Sequence, residues 1–342
     1  MFANVTRGCG VIRSVCSGRQ VRTFQSVATH QTMRAIQVSE FGDPEVLKYV
    51  DDAALLEAVD SKQVLVGMVA AGVNPVDTYI RAGAYARTPP LPYTPGSDGA
   101  GKVLKIGDAV DSVQVGERVF VSLGPDGAPG GTYASCVRAP ASCVGRLPER
   151  LTFQQGAGVG VPYFTAWHAL MQRAGASKDC KVLIHGASGA VGLAAVQIAK
   201  FHGMSVIGTA GSEDGLRLVR EQGADHVFNH RTPSYTKEIV QASGGGVDVI
   251  LEMLANVNLA RDLEMLQFRG RVIVIGSRGS ITIDPRMTMA KESSIMGCAL
   301  AATTKADWEE IRPRVLEGLE AGWLTPVVAK AYPLEQAEHG PP

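Results

Sequence analysis

The sequence predicts an α/β protein in two parts, a β-barrel-type domain followed by a doubly wound parallel sheet. Three observations carry that expectation. Between residues 33 and 157 short β-like runs follow one another closely, broken by Gly and Pro. From 158 to 300 strand-like and helix-like runs alternate, the rhythm of βαβ units. Residues 181–200 (KVLIHGASGAVGLAAVQIAK) join a short aliphatic strand, the glycines Gly186, Gly189 and Gly192, and an unbroken apolar helix.

In chain order, residues 1–32 stand apart. Arg7, Arg13, Arg19 and Arg22 lie among Ser, Thr, Val and Phe, and no acid precedes Glu40. That composition reads as a mitochondrial transit peptide, or else as an uncleaved leader of a cytoplasmic protein upstream of Met33. The 342 residues supply material for about two domains. Lys plus Arg (33) balance Asp plus Glu (33), so total charge points to neither nucleic acid nor an anionic membrane. No apolar run approaches the roughly 20 residues of a membrane span. Cys9, Cys16, Cys136, Cys143, Cys180 and Cys298 form no C-x-x-C pair, which argues against a disulfide framework.

The first domain reads as strands at 34–38, 63–69, 113–121 and 131–137, with a short helix at 51–58. Its turn-rich stretches, 71–85 and 91–101, carry polar and aromatic groups. The second domain reads as strands at 182–185, 205–208, 226–228, 247–251, 272–275 and 294–300. Helices are expected at 190–202, 213–222, 235–242 and 257–267, then at 305–320, before a strand-like piece at 323–326.

Strand, glycine turn and helix at 181–200 form a phosphate-gripping unit: glycines admit the pyrophosphate and the helix N-terminus offers free N–H groups. Ala187, Gly189 and Gly192 fill the G-x-G-x-x-G register imperfectly. Enzymes that prefer the unphosphorylated coenzyme carry an acid about 20 residues beyond the glycines. Here residues 208–212 (GTAGS) hold none, and His230 and Arg231 add positive charge, so NADPH is expected.

Residues 72–81 (GVNPVDTYIR), 91–98 (LPYTPGSD), 161–166 (VPYFTA), 185–192 (HGASGAVG) and 252–258 (EMLANVN) resemble the zeta-crystallin family. These are the NADPH:quinone oxidoreductases, a zinc-free branch of the medium-chain dehydrogenase/reductase superfamily. The likeness runs from about Met33 to Glu335. It implies a GroES-like catalytic domain at 33–157, completed by 301–342, and a Rossmann coenzyme domain at 158–300. It also implies a homotetramer and zinc-independent transfer from NADPH to ortho-quinones, with semiquinones released.

Zinc-dependent relatives carry an early Cys and a Gly-His-Glu motif. Here Asn74 stands in the region of the Cys, Gly96-Ser97-Asp98 replaces the motif, and residues 122–132 lack the four structural cysteines. A zinc site needs three or four converging ligands, so no metal is expected. A quinone suits such a site, since it takes hydride readily and needs only positioning and hydrogen-bond donors.

By resemblance, Asn74, Tyr79, Tyr85 and Thr165 are the candidate catalytic donors, with Tyr79 also against the coenzyme. The remaining coenzyme contacts carried over are Ser188, Gly189, Ala190, Val191, Gly192, Gly211, His230, Asn258, Ile275, Gly276, Ser277, Arg278, Cys298, Ala299 and Leu300. Gly276 and Ser277 have independent support, lying at the carboxyl end of a strand, where ligands of such sheets bind.

Two departures stand out. Ala190 replaces a commoner glycine, and the chain ends at Pro342, short of the family's last helix and strand, so an exposed sheet edge and reduced stability are expected. Two other functions fit the same resemblance: reduction of the C=C bond of enals or enoyl thioesters, and a weakly catalytic NADPH-binding crystallin or AU-rich RNA-binding protein. The neutral charge gives RNA binding no support from the residues themselves.

Overall fold

The computed structural model describes residues 32–54, 59–124 and 130–339. The leader at 1–31 lies outside them, as do 55–58 and the last three residues. In chain order β1 (Thr32–Gln37) pairs antiparallel with β2 (Lys48–Ala54). Next come β3 (Gln63–Gly72), α1 (Pro75–Arg81), β4 (Asp98–Ile106), β5 (Arg118–Ser122), β6 (Cys136–Pro140) and β7 (Val144–Arg146). The five strands β3 to β7 make an antiparallel sheet in the order β6-β3-β4-β5-β7.

Two short helices follow, α2 (Phe153–Ala157) and α3 (Gly160–Trp167), the latter continued by a wider π-turn over His168–Arg173. The alternating part comprises β8 (Lys181–Ile184), α4 (Ala190–Phe201), β9 (Ser205–Ala210), α5 (Glu213–Glu221), β10 (His226–Asn229), α6 (Tyr235–Ala242), β11 (Val247–Glu252), α7 (Ala255–Met265), β12 (Leu266–Val274), α8 (Arg286–Lys291) and β13 (Ser294–Gly297). Its six strands are all parallel, in the order β10-β9-β8-β11-β12-β13. Strand order reverses between β8 and β11, the crevice where doubly wound sheets bind ligands. Helix α9 (Lys305–Ala321) closes the described fold, started by a Thr304–Asp307 capping box and stopped at Gly322 in the left-handed region.

The α/β architecture matches the expectation, and several elements differ in detail. Residues 51–54 extend β2 where a helix was expected, because cross-strand pairs such as Ile36 with Tyr49 override the helical preference of its Asp and Ala. Residues 113–117 form the turn into β5, with Gly116 at positive φ. Residues 98–101, the end of the turn-rich 91–101 stretch, instead begin the central strand β4. The glycines answer to packing: a Cβ on Gly101 would lie 2.0 Å from the Gly67 carbonyl oxygen. Residues 298–302 leave the sheet after β13, and 323–326 form no strand.

One of the hydrophobic clusters runs from the five-stranded sheet to the six-stranded sheet, and α3 is its seam. Phe164 of α3 packs edge-on against Trp308 of α9 at 4.7 Å and against Phe120 of β5 at 6.5 Å. The same cluster runs on to Val182 and Ile184 of β8 and to Leu251 of β11. These strands are continuous aliphatic runs because both faces are covered by helices. Among the described residues no helix is long and apolar enough to cross a membrane.

Candidate functional site

The glycine turn after β8 is shaped by two backbone demands. Gly186 sits at φ +57°, in the left-handed region. A Cβ on Gly192 would lie 2.6 Å from the Ala187 Cα, so only glycine lets α4 pack onto the turn. Gly189 and Ala190 are exposed where α4 begins, and the first turn of a helix leaves its N–H groups without internal acceptors. Ser188 to Gly192 therefore form an open anion cradle.

Apart from Tyr79 on α1, every other residue assigned to the coenzyme lies beyond the carboxyl end of a parallel strand. Gly211 follows β9, and a Cβ there would sit 2.8 Å from His230 Nε2 and 3.2 Å from Arg231 Nε, both just past β10. This cationic pocket has no acid at its floor, since Ser212 starts α5 by accepting the Gly215 N–H. Burial, then His185 and Arg231, hold the His230 imidazole below its ordinary value. An arriving phosphate would reverse that shift.

Beyond β11, the Asn258 amide donates to Glu252 Oε1 at 3.2 Å. The N–H groups of Ile275 and Gly276 donate to the Glu252 carbonyl, and Arg278 N–H donates to Asn256 Oδ1 at 2.8 Å. The 275–278 loop, with Ser277 exposed, is thus stitched to the start of α7. Cys298 follows β13, its N–H bonded to the Val274 carbonyl and its thiol pushed up to about 12 by burial. Ala299 and Leu300 continue from it into a short 3₁₀ turn. Glycine turn, cationic pocket and loops line one sheet edge, which fits a phosphorylated dinucleotide.

Beneath that edge lies a cluster that motif reading misses. His185 Nε2 is 2.9 Å from Asp262 Oδ1 and 3.7 Å from Glu252 Oε2, with all three side chains buried. Burial first, then mutual repulsion, raises Glu252 to about 7; burial also raises Asp262 to about 7 and lowers His185. Their ligand atoms lie within 4.8 Å of one another, a spacing a cation could use, but the direct His–Asp hydrogen bond already occupies two of them. The signal available in the sequence was a polar residue, His185 or Glu252, at the end of each of two aliphatic runs, 182–184 and 249–251.

On the antiparallel side Asn74 and Asp98 meet. Asn74 Nδ2 donates to Asp98 Oδ2 at 2.9 Å, and the Val161 N–H in the first turn of α3 donates to the same carboxylate at 2.9 Å. One carboxylate thus ties the start of α1, which carries Tyr79, to α3, which carries Thr165. Nearby, Asp77 accepts from the Asn74 N–H at 2.9 Å and from the Tyr133 hydroxyl at 3.3 Å. Burial raises Asp98 to about 7 and Asp77 to about 6 against the pull of these donors. Tyr79 and Tyr85 are half-buried, while Asn74 and Thr165 are buried. Asp98 and Tyr133 join the site through tertiary contact, whereas Asp77 joins it as the N3 partner in the capping box of α1.

Comparison with known proteins gives consistent relatives. Residues 60–149 match the family described as alcohol dehydrogenase GroES-like domain, and residues 190–317 match zinc-binding dehydrogenase. The human protein named quinone oxidoreductase is 50% identical over 305 residues, covering 89% of this chain and 91% of that one. The rat quinone oxidoreductase is 51% identical over 306 residues, covering 89% and 92%. Among solved structures, an NAD-dependent alcohol dehydrogenase superposes with a TM-score of 0.83 at 29% identity, covering 90% and 95%. The Escherichia coli quinone oxidoreductase complexed with NADPH gives 0.77 at 28% identity, covering 90% and 94%.

Proposed function

Because the chain belongs to the quinone oxidoreductase family of the medium-chain dehydrogenase/reductase superfamily, we propose that it is an NADPH-dependent quinone reductase. One observation carries the reading: the Asn74–Asp98 hydrogen bond. Where zinc-bearing relatives place a Cys and a Glu, this chain sets an amide N–H donor against a carboxylate, which leaves no converging set of metal donors. An unactivated carbonyl or alcohol gains most from such a Lewis acid, whereas a quinone is favoured by the aromaticity it gains on reduction.

The bound coenzyme supplies the hydride. Ser188 to Gly192 hold its pyrophosphate at the α4 N-terminus, and Gly211, His230 and Arg231 receive the 2′-phosphate. Asn258, the 275–278 loop and residues 298–300 wall the nicotinamide half. On the facing side Tyr79, Tyr85 and Thr165 are the candidate donors to the quinone oxygens, with Asn74 offering its second amide hydrogen. Asp98 holds the helices that carry Asn74, Tyr79 and Thr165 in register. Such fixed donors lower the barrier because they need no reorganisation as charge develops.

The test is oxidation of NADPH by the purified protein with 9,10-phenanthrenequinone, run beside NADH and beside an enone. Fast NADPH consumption, unaffected by chelators, is expected. Turnover of the enone with none of the quinone would overturn the substrate assignment.

A further inference from the structure

Below the coenzyme edge the His185–Glu252–Asp262 cluster reaches two separate walls of the site. The Gly186 N–H donates to Thr209 Oγ1 at 3.2 Å, and Thr209 Oγ1 lies 3.3 Å from His185 Nδ1. The far imidazole nitrogen lies 2.9 Å from Asp262 Oδ1. With Asp262 ionised, a neutral imidazole completes this chain with Nε2–H donating to Asp262 and Nδ1 accepting from the Thr209 hydroxyl. On the other side Glu252 Oε2 lies 3.7 Å from the imidazole Nε2, and Glu252 Oε1 accepts both from the Leu254 N–H and from the Asn258 amide. Burial of two carboxyls this close favours keeping one proton on the pair.

The glycine turn beyond β8 and Asn258 on α7 are thus opposite ends of one buried relay. It spans β9, β8, α7 and β11, across the point where strand order reverses. A solvent-exposed network would be loosened by water, but this one is sealed in the core, where the geometry of each member fixes the next.

We propose that His185, Glu252, Asp262 and Thr209 are positioning residues for the coenzyme, holding the glycine turn and Asn258 at the spacing that NADPH spans. This rests on the coenzyme reading above.

The decisive variant is Thr209→Val, which removes the hydroxyl and leaves the cluster itself intact, with Thr209→Ser as its rescue and His185→Phe as a second break in the same relay. NADPH dissociation constants are measured by titration calorimetry on the full chain, with the apo-protein melting temperature and the steady-state constants alongside. T209V is expected to weaken NADPH binding roughly tenfold, about one lost hydrogen bond, with the loss falling on KM for NADPH and not on kcat. T209S restores binding, and the T209V/H185F double variant binds no worse than the weaker single.

NADPH affinity within twofold of wild type in T209V would overturn the inference. So would a T209S variant as weak as T209V, because packing of the γ-methyl would then be the cause. Should H185F not fold, the T209V and T209S pair still decides. A wild-type chain that fails to bind NADPH would overturn the coenzyme reading instead, so the two failures are distinguishable.

Discussion

The protein buries two carboxylate pairs, each joining a strand to a helix (Asp98 of β4 with Asp77 of α1, Glu252 of β11 with Asp262 of α7), and satisfies them by opposite means. In the first pair Asp77 and Asp98 are surrounded by fixed donors: two backbone N–H groups, the Asn74 amide and the Tyr133 hydroxyl. In the second pair Glu252 and Asp262 face each other and His185, and Glu252 Oε2 and Asp262 Oδ2 are buried with no donor hydrogen bond. Burial lifts all four carboxyls to between about 6 and about 7. Equal burial therefore gives a rigid clamp in one place and a proton-sharing relay in the other. What differs is where the hydrogens come from.

The largest effect should separate the two. Asp98→Ala strands the Val161 N–H and the Asn74 amide in the core, and should cost about 3–4 kcal/mol of stability. Asp262→Asn should cost less than about 1 kcal/mol, because a carboxamide can accept from His185 and donate to Glu252 in the same geometry. Urea unfolding of both variants checks this. Equal losses would erase the distinction between clamp and relay.

Next in size is Gly211→Asp at the coenzyme edge. A carboxylate there would face the 2′-phosphate, and its Cβ would press on the movable ends of His230 and Arg231. NADPH kcat/KM should fall by about 2–3 kcal/mol, roughly 30- to 150-fold, while NADH activity holds or rises. A parallel loss with both coenzymes would mean that the pocket collapsed.

Stability against pH is smaller and tests both clusters at once. A carboxyl whose native pKa lies above its unfolded value keeps a proton that the unfolded chain has lost, so its stabilisation is complete at low pH. With ordinary values of 3.8 and 4.5 raised to about 6 and about 7, that stabilisation drains away as pH climbs from about 4 through about 7. His185 is lowered and works the other way, adding stability as pH rises through its ordinary 6.5. Four raised carboxyls outweigh one lowered imidazole, so stability should decline between about pH 4.5 and 8. Thermal melts across that range measure it, and Asp262→Asn should flatten the slope. A slope unchanged in that variant would remove the shared proton.

The smallest change is Tyr79→Phe, which deletes one candidate donor without leaving a buried partner. A fall in kcat of about threefold to tenfold is expected with 9,10-phenanthrenequinone, or about 1 kcal/mol. Full activity would move the donor role to Tyr85 or Thr165.

The coenzyme edge was readable along the chain because its parts are local. Gly186, Gly189 and Gly192 stand between an aliphatic strand and an apolar helix, and the missing acid at residues 208–212 is visible by simple counting. Residues 98–101, read as part of a turn-rich stretch, were misread for the converse reason. Their glycines exist to admit the neighbouring strand, a demand that appears only once β3 and β4 lie side by side. Residues 51–54 were misread because edge pairing with β1 outweighs intrinsic preference.

By itself the sequence determined the α/β class, the alternation behind the parallel sheet and the place of the phosphate turn. Periodicity and glycine spacing are properties of neighbours in the chain, and they act before any tertiary contact forms. Only the tertiary structure decided which buried polar groups meet. Asn74 finds Asp98 across 24 residues and His185 finds Asp262 across 77. A lone Asp or His in an apolar stretch carries no mark of its partner. The penalty for burying it unpaired is settled by packing, which only the folded chain provides.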